Sequence, residues 1–126
     1  MNKKIFFLMV ALFVISFNVS AQLAGKKFQT SFEDQGIFHL AFSDNNYELS
    51  DSAGNVLLIG NYTIEQKTIT FTDTEGPMSC PNDEKGKYEF LLDGQKLTLK
   101  LVEDECEGRP KIAATEWQQL KVKNDD

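Results

Sequence analysis

The sequence predicts an all-β domain, an eight-stranded antiparallel up-and-down barrel, preceded by an export leader and closed by one disulfide. Three observations point there. Apolar residues recur at period two, turn residues interrupt them at short spacing, and the only two cysteines sit in the two longest loops. Strict alternation places one set of side chains on one face of a strand, which is the pattern of a half-buried sheet.

The leader comes first. Lys3 and Lys4 form a basic head, residues 5–17 are apolar, and Asn18-Val19-Ser20-Ala21 puts small residues before a cut after Ala21. This is the pattern a signal peptidase reads. A retained membrane anchor is the alternative, but it needs about 20 apolar residues where this run has roughly thirteen. Residues 1–21 are therefore expected to be removed, leaving one domain over residues 22–126. Losing Lys3 and Lys4 takes the formal charge from −6 to −8. Such a surface repels nucleic acid and anionic lipid, both of which need basic patches.

Past the leader, Phe38, Leu40 and Phe42 alternate with Ile37, His39 and Ala41. Tyr88, Phe90 and Leu92 repeat the pattern, as do Leu97, Leu99 and Leu101, and Ile69 and Phe71 give a shorter example. Turn signals at 34–36, 44–46, 51–55, 65–67 and Asp93-Gly94 separate these runs. Asp-Gly suits the positive φ angles of a tight hairpin. The resulting strands are 26–33, 36–43, 46–50, 56–64, 68–73, 86–92, 96–102 and 110–121. Hairpin links favour a meander that curls until its edges meet, since closure removes unpaired edges; a two-sheet sandwich is the alternative. Gly60, inside a β-like run, marks a bulge or bend.

Two loops are longer. The first, 74–85, holds Gly76-Pro77 and Cys80-Pro81; the second, 103–110, holds Asp104, Cys106 and Arg109. In an exported chain an isolated cysteine pair reads as a disulfide, here tying both loops together at one end of the barrel. Closing that loop of about 25 residues is worth about 3.5 kcal/mol in the chain-entropy model.

The succession Gly60-Asn61-Tyr62, Ile69-Thr70-Phe71-Thr72-Asp73, Cys80, Gly86-Lys87-Tyr88-Glu89-Phe90, Leu97-Thr98-Leu99 and Asp104-Glu105-Cys106-Glu107-Gly108-Arg109 resembles secreted bacterial lipocalin-like domains. These are small calycin-type barrels with a G-x-Y strand, a G-x-Y-x-[FW] strand and a D-x-C-x-x-R loop, and the similarity spans most of residues 25–117. Residues 23–28 occupy the place of the family's Gly-x-Trp, with Phe28 standing one position late. The resemblance implies an apolar barrel interior of the kind commonly used to bind small hydrophobic molecules. It does not imply an enzyme.

The expected interior comprises Phe38, Leu40, Phe42, Tyr47, Leu49, Leu58, Tyr62, Ile69, Phe71, Tyr88, Phe90, Leu97, Leu99 and Leu101. Eight strands enclose either a filled core or room for one small ligand, and both use these residue types. If a ligand is held, the candidate contacts are Phe38, Leu40, Phe42, Tyr47, Tyr62, Phe71, Tyr88, Phe90, Leu99 and Arg109. Arg109 reads first as a brace within the loop, bonded to Asp104, and second as a partner for a ligand carboxylate. Trp117 either plugs one end or lies outside.

His39, the single histidine, falls on the outward face of its strand and lacks an identifiable nucleophile or orienting carboxylate. Glu103, Asp104, Glu105 and Glu107, with Asp73, Glu75, Asp83 and Glu84, read as a solvated acidic rim; their spacing does not follow a calcium loop. Asn61-Tyr62-Thr63 and Asp51-Ser52-Ala53 match short glycosylation patterns that are common by chance. The expectation is a secreted or periplasmic monomer that binds a small hydrophobic or amphipathic ligand. It needs no cofactor, metal or catalytic residue, and meets neither nucleic acid nor membrane once the leader is gone. The alternative is a protein-interaction or inhibitor module with a solid core and disulfide-tied binding loops.

Overall fold

Alternation and turns act as expected along most of the chain. The computed structural model describes residues 23–121, so the leader and the tail Asn124–Asp126 lie outside the described residues. Eight strands follow in order: β1 (Lys27–Ser31), β2 (Ile37–Phe42), β3 (Asn46–Asp51), β4 (Val56–Glu65), β5 (Thr68–Glu75), β6 (Lys85–Asp93), β7 (Lys96–Asp104) and β8 (Trp117–Gln119). Each pairs antiparallel with the next, and β1 pairs with β8, so the sheet closes into an up-and-down barrel rather than splitting into a sandwich. The expected hairpin forms one residue later than Asp93-Gly94: Asp93 pairs with Lys96, so the turn residues are Gly94 and Gln95, and of these Gly94 takes the positive φ. Among the described residues no helix is long and apolar enough to cross a membrane.

The expected strand 110–121 is mostly something else. Residues Arg109–Ala113 form a short helix, α1, and only Trp117–Gln119 pair as strand. Pro110 sits in the first turn of α1, where its missing N–H costs nothing and its fixed φ suits the helix. β8 is therefore a three-residue clasp, meeting β1 at Phe28↔Gln119 and Gln29↔Gln118, and β7 at Lys96↔Gln118 and Leu97↔Trp117. Trp117 is 1% exposed and donates its indole N–H to the Ala113 carbonyl at 3.3 Å. It plugs the barrel from within.

The interior is the expected set with one correction. Leu101 is half exposed, because the β6–β7 register shifts between Lys87 and Tyr88, leaving Val102 as an extra residue that breaks the alternation of β7. At Gly60 the register of β4 on β5 also shifts, as the bend expected there requires. A Cβ at Gly60 would run into the Tyr47 ring and the Thr72 carbonyl oxygen.

Two files of aromatic rings run through the barrel. Phe28 meets Phe42 edge-on at 5.9 Å, and Phe42 meets Tyr62 at 5.2 Å, whose hydroxyl donates to the Ser43 carbonyl at 2.6 Å. The second file, Tyr47–Phe71–Tyr88, has centroid spacings of 4.9 and 5.8 Å and leads toward the disulfide end. Edge-to-face rings add attraction beyond the apolar area they bury.

Trp117→Ala should destabilise the protein by about 3–5 kcal/mol in urea unfolding, the usual cost of emptying a large core site. Leu101→Ser should stay within about 0.5 kcal/mol, as substitutions at exposed positions do. Equal losses at both sites would contradict an inward Trp117 and an outward Leu101.

Candidate functional site

At the disulfide end the strands deliver charged side chains into the interior. Asp73 lies on β5 in phase with Ile69 and Phe71, so alternation turns it inward, and it is 4% exposed. The Asp104 side chain, at the end of β7 beyond the bulge, is fully buried. Both were expected on a solvated acidic rim; burial overturns that for these two. Glu75, Asp83, Glu103, Glu105 and Glu107 do remain exposed.

Arg109, the first residue of α1, lies between the two carboxylates. Its Nη1 donates to Asp104 Oδ1 at 2.7 Å, its Nη2 donates to the Glu84 carbonyl at 3.0 Å, and Nη2 stands 3.6 Å from Asp73 Oδ1. Tyr47 donates its hydroxyl to Asp73 Oδ1, and Tyr88 donates to Asp104 Oδ2 at 2.5 Å. Each carboxylate also holds one half of the disulfide: Cys80 N–H donates to Asp73 Oδ2 at 2.8 Å, and Cys106 N–H to Asp104 Oδ1 at 2.9 Å. The Cys80–Cys106 bond then joins the two loops, with Cα atoms 5.9 Å apart. Gly86 is required beneath this knot, since a Cβ there would collide with the Asp104 carboxylate and the Arg109 guanidinium. In the two G-x-Y segments, Gly60 thus clears space for the Tyr47 ring and Gly86 for an ion pair.

Beside the knot lies a cavity of about 130 Å³. Leu40, Leu49, Leu58, Phe71 and Leu99 line it from the strands, and Ile112 and Ala113 of α1 cover it with Trp117. Tyr47, Asp73 and Arg109 form its polar edge, and the disulfide borders it. Its lining also includes Met78 and Gly108, both exposed.

Of the contact residues expected from sequence, Leu40, Tyr47, Phe71, Leu99 and Arg109 come together around this cavity. Phe38, Phe42, Tyr62, Tyr88 and Phe90 are buried but do not line it. Asp73, Met78, Ile112 and Ala113 were not anticipated at the site. For Asp73 the signal was present, in its phase with Ile69 and Phe71. His39 lies on β2, between the buried Phe38 and Leu40, opposite Gln29 and Ser50 and away from the cavity lining. Among the described residues no three His, Cys, Asp or Glu side chains assemble into a set that could hold a metal ion. No protein-family model, curated protein or solved structure matches the chain.

The three tyrosines are all held neutral. Burial, then the hydrogen bond to Asp73 and its charge, pushes the Tyr47 phenol far above its ordinary range; burial and Asp104 do the same to Tyr88. Burial, with the Asp44 charge, raises Tyr62. A phenol that binds its proton more tightly when folded contributes its full stability below the unfolded value, about pH 10, and loses it as pH rises further. Native protein should therefore show less tyrosinate absorbance near pH 10 than unfolded protein, and above that pH the absorbance of Tyr47 and Tyr88 should rise together with unfolding. Tyrosinate formation near pH 10 as complete as in unfolded protein, with the far-ultraviolet dichroism intact, would reject the buried assignment.

Arg109→Ala leaves two buried carboxylates without their cation, a change that typically costs about 3–5 kcal/mol. The melting temperature should fall by at least about 10 °C in calorimetry. An unchanged melting point would sink the structural role of the guanidinium.

Proposed function

We propose that this chain is an exported, lipocalin-like binding barrel that takes one small apolar or amphipathic molecule at its disulfide end and performs no chemistry on it. The cavity carries this reading: its walls are aliphatic and aromatic, it has a polar edge, and exposed residues of both tied loops, Met78 and Gly108, take part in its lining. Binding sites for small molecules commonly combine apolar walls with a few placed polar groups. The D-x-C-x-x-R residues Asp104, Cys106 and Arg109, on which the lipocalin-like resemblance partly rests, gather in one knot bordering that cavity. A disulfide across two loops suits an oxidising compartment and so supports export.

Size narrows the ligand. An apolar cavity of about 150 Å³ accommodates a benzene-sized molecule. Long-chain lipids and other bulky cargo therefore exceed this space, and a compact ring or short branched chain fits it. The non-catalytic reading is supported by the lining itself. Its titratable side chains, Tyr47, Asp73 and Arg109, are engaged with one another.

Native mass spectrometry of the protein isolated from its own culture without detergent should show a discrete added mass that organic solvent removes. Ala113→Met, which fills the cavity from α1, should reduce the fraction carrying that mass several-fold while the barrel's dichroism is kept. A bare protein mass, together with no thermal stabilisation by benzene or toluene, would reject the binding reading. It would move attention to the tied loops as a protein-docking surface.

A further inference from the structure

If the cavity is the binding site, as proposed, the surface it offers decides what it accepts. Its edge is polar in composition, yet the polar atoms there are already committed or enclosed. The Asp73 side chain is 1% exposed; its Oδ1 accepts the Tyr47 hydroxyl and its Oδ2 the Cys80 N–H. Arg109 donates from Nη1 to Asp104 and from Nη2 to the Glu84 carbonyl, and its Nε is buried. The main chain behind the walls is committed too. Strands β2 to β5, which supply Leu40, Leu49, Leu58 and Phe71, each pair with a strand on either side. In α1 the carbonyls of Pro110, Ile112 and Ala113 accept from the Ala114 N–H, from Thr115 and from the Trp117 indole. What remains facing the cavity is almost wholly apolar.

A polar group carried into this space gives up its water and finds no partner in exchange. Donors and acceptors are penalised alike, because the groups that could answer either are bonded elsewhere or enclosed. Ions fare worse. A carboxylate would stand beside Asp73, and an ammonium would lose its hydration for an acid that already serves Tyr47 and the Cys80 amide. We infer that the ligand is a compact molecule without charge and without any hydrogen-bonding group, such as a small hydrocarbon or halocarbon. Amphipathic molecules of the same size are refused, and the polar edge acts as structure rather than as a contact.

The test pairs probes of one size that differ in one polar group: toluene with phenol, and benzene with pyridine. Nuclear magnetic resonance titration of the intact, disulfide-bonded protein at neutral pH reads affinity. The methyl signals of Leu40, Leu58 and Leu99, all in the lining, report where each probe sits. Toluene and benzene should bind and shift those methyls. Phenol and pyridine should bind at least about a hundredfold more weakly than their partners, a gap of about 2.8 kcal/mol, as befits a polar group buried without a hydrogen bond. A smaller gap in either pair means that the edge supplies a hydrogen bond. It overturns the inference and leaves the cavity a site for amphipathic ligands. Toluene binding without those methyl shifts places the ligand elsewhere and overturns it as well. If none of the four binds, the binding reading falls, and this inference with it.

Discussion

Arg109 lies between the carboxylates of Asp73 and Asp104, and the whole disulfide end of the barrel is organised through that contact. The acids in turn accept the backbone N–H groups of Cys80 and Cys106, so the ion cluster fixes the loop backbones that the disulfide then ties. The two devices act on different states. The disulfide limits the freedom of the unfolded chain, while the cluster adds order only once the barrel exists. A buried ion pair is often no better for stability than an apolar replacement of the same shape. Its contribution here is placement: with the guanidinium over Gly86 and the tyrosine hydroxyls directed at the acids, the loops have one arrangement at the mouth of the cavity.

The barrel interior is divided by this arrangement. Away from the disulfide, Phe28, Phe42 and Tyr62 pack edge to face and fill the space. Toward the disulfide, leucines from β2, β3, β4 and β7 surround open volume roofed by α1. The question left open by composition, a filled barrel or a hollow one, resolves into one filled half and one half with room. Ring packing supplies rigidity at the filled end, and the cavity sits where loops and a five-residue helix close over the strand walls.

Most of the fold was legible because alternation is a local signal: each inward side chain is two residues from the next. The strands from 27 to 104, the hairpin at Asp93-Gly94, the bend at Gly60 and the cysteine pair all came from such local patterns. Leu101 failed because a one-residue bulge changes phase without changing composition. Residues 109–113 failed because Pro110 suits the start of a strand and the first turn of a helix alike. Asp73 and Asp104 failed because charge ordinarily means exposure, although Asp73 kept the phase of Ile69 and Phe71. Burial there depends on Arg109, whose bond to Asp104 the sequence did suggest, and on hydroxyls from β3 and β6, which meet the acids only in three dimensions.

β8 is only three residues long and is the last strand in the described chain. Until it docks, β1 and β7 present bare backbone edges, and the interior between them is open along one side. Without that docking the sheet would keep two unpaired edges, the kind at which two chains pair edge to edge. The tyrosine and arginine knot joins β3, β5, β6, β7 and α1, and so touches only one of the two strands that β8 joins. The other seven strands therefore have an internal fastening besides the clasp.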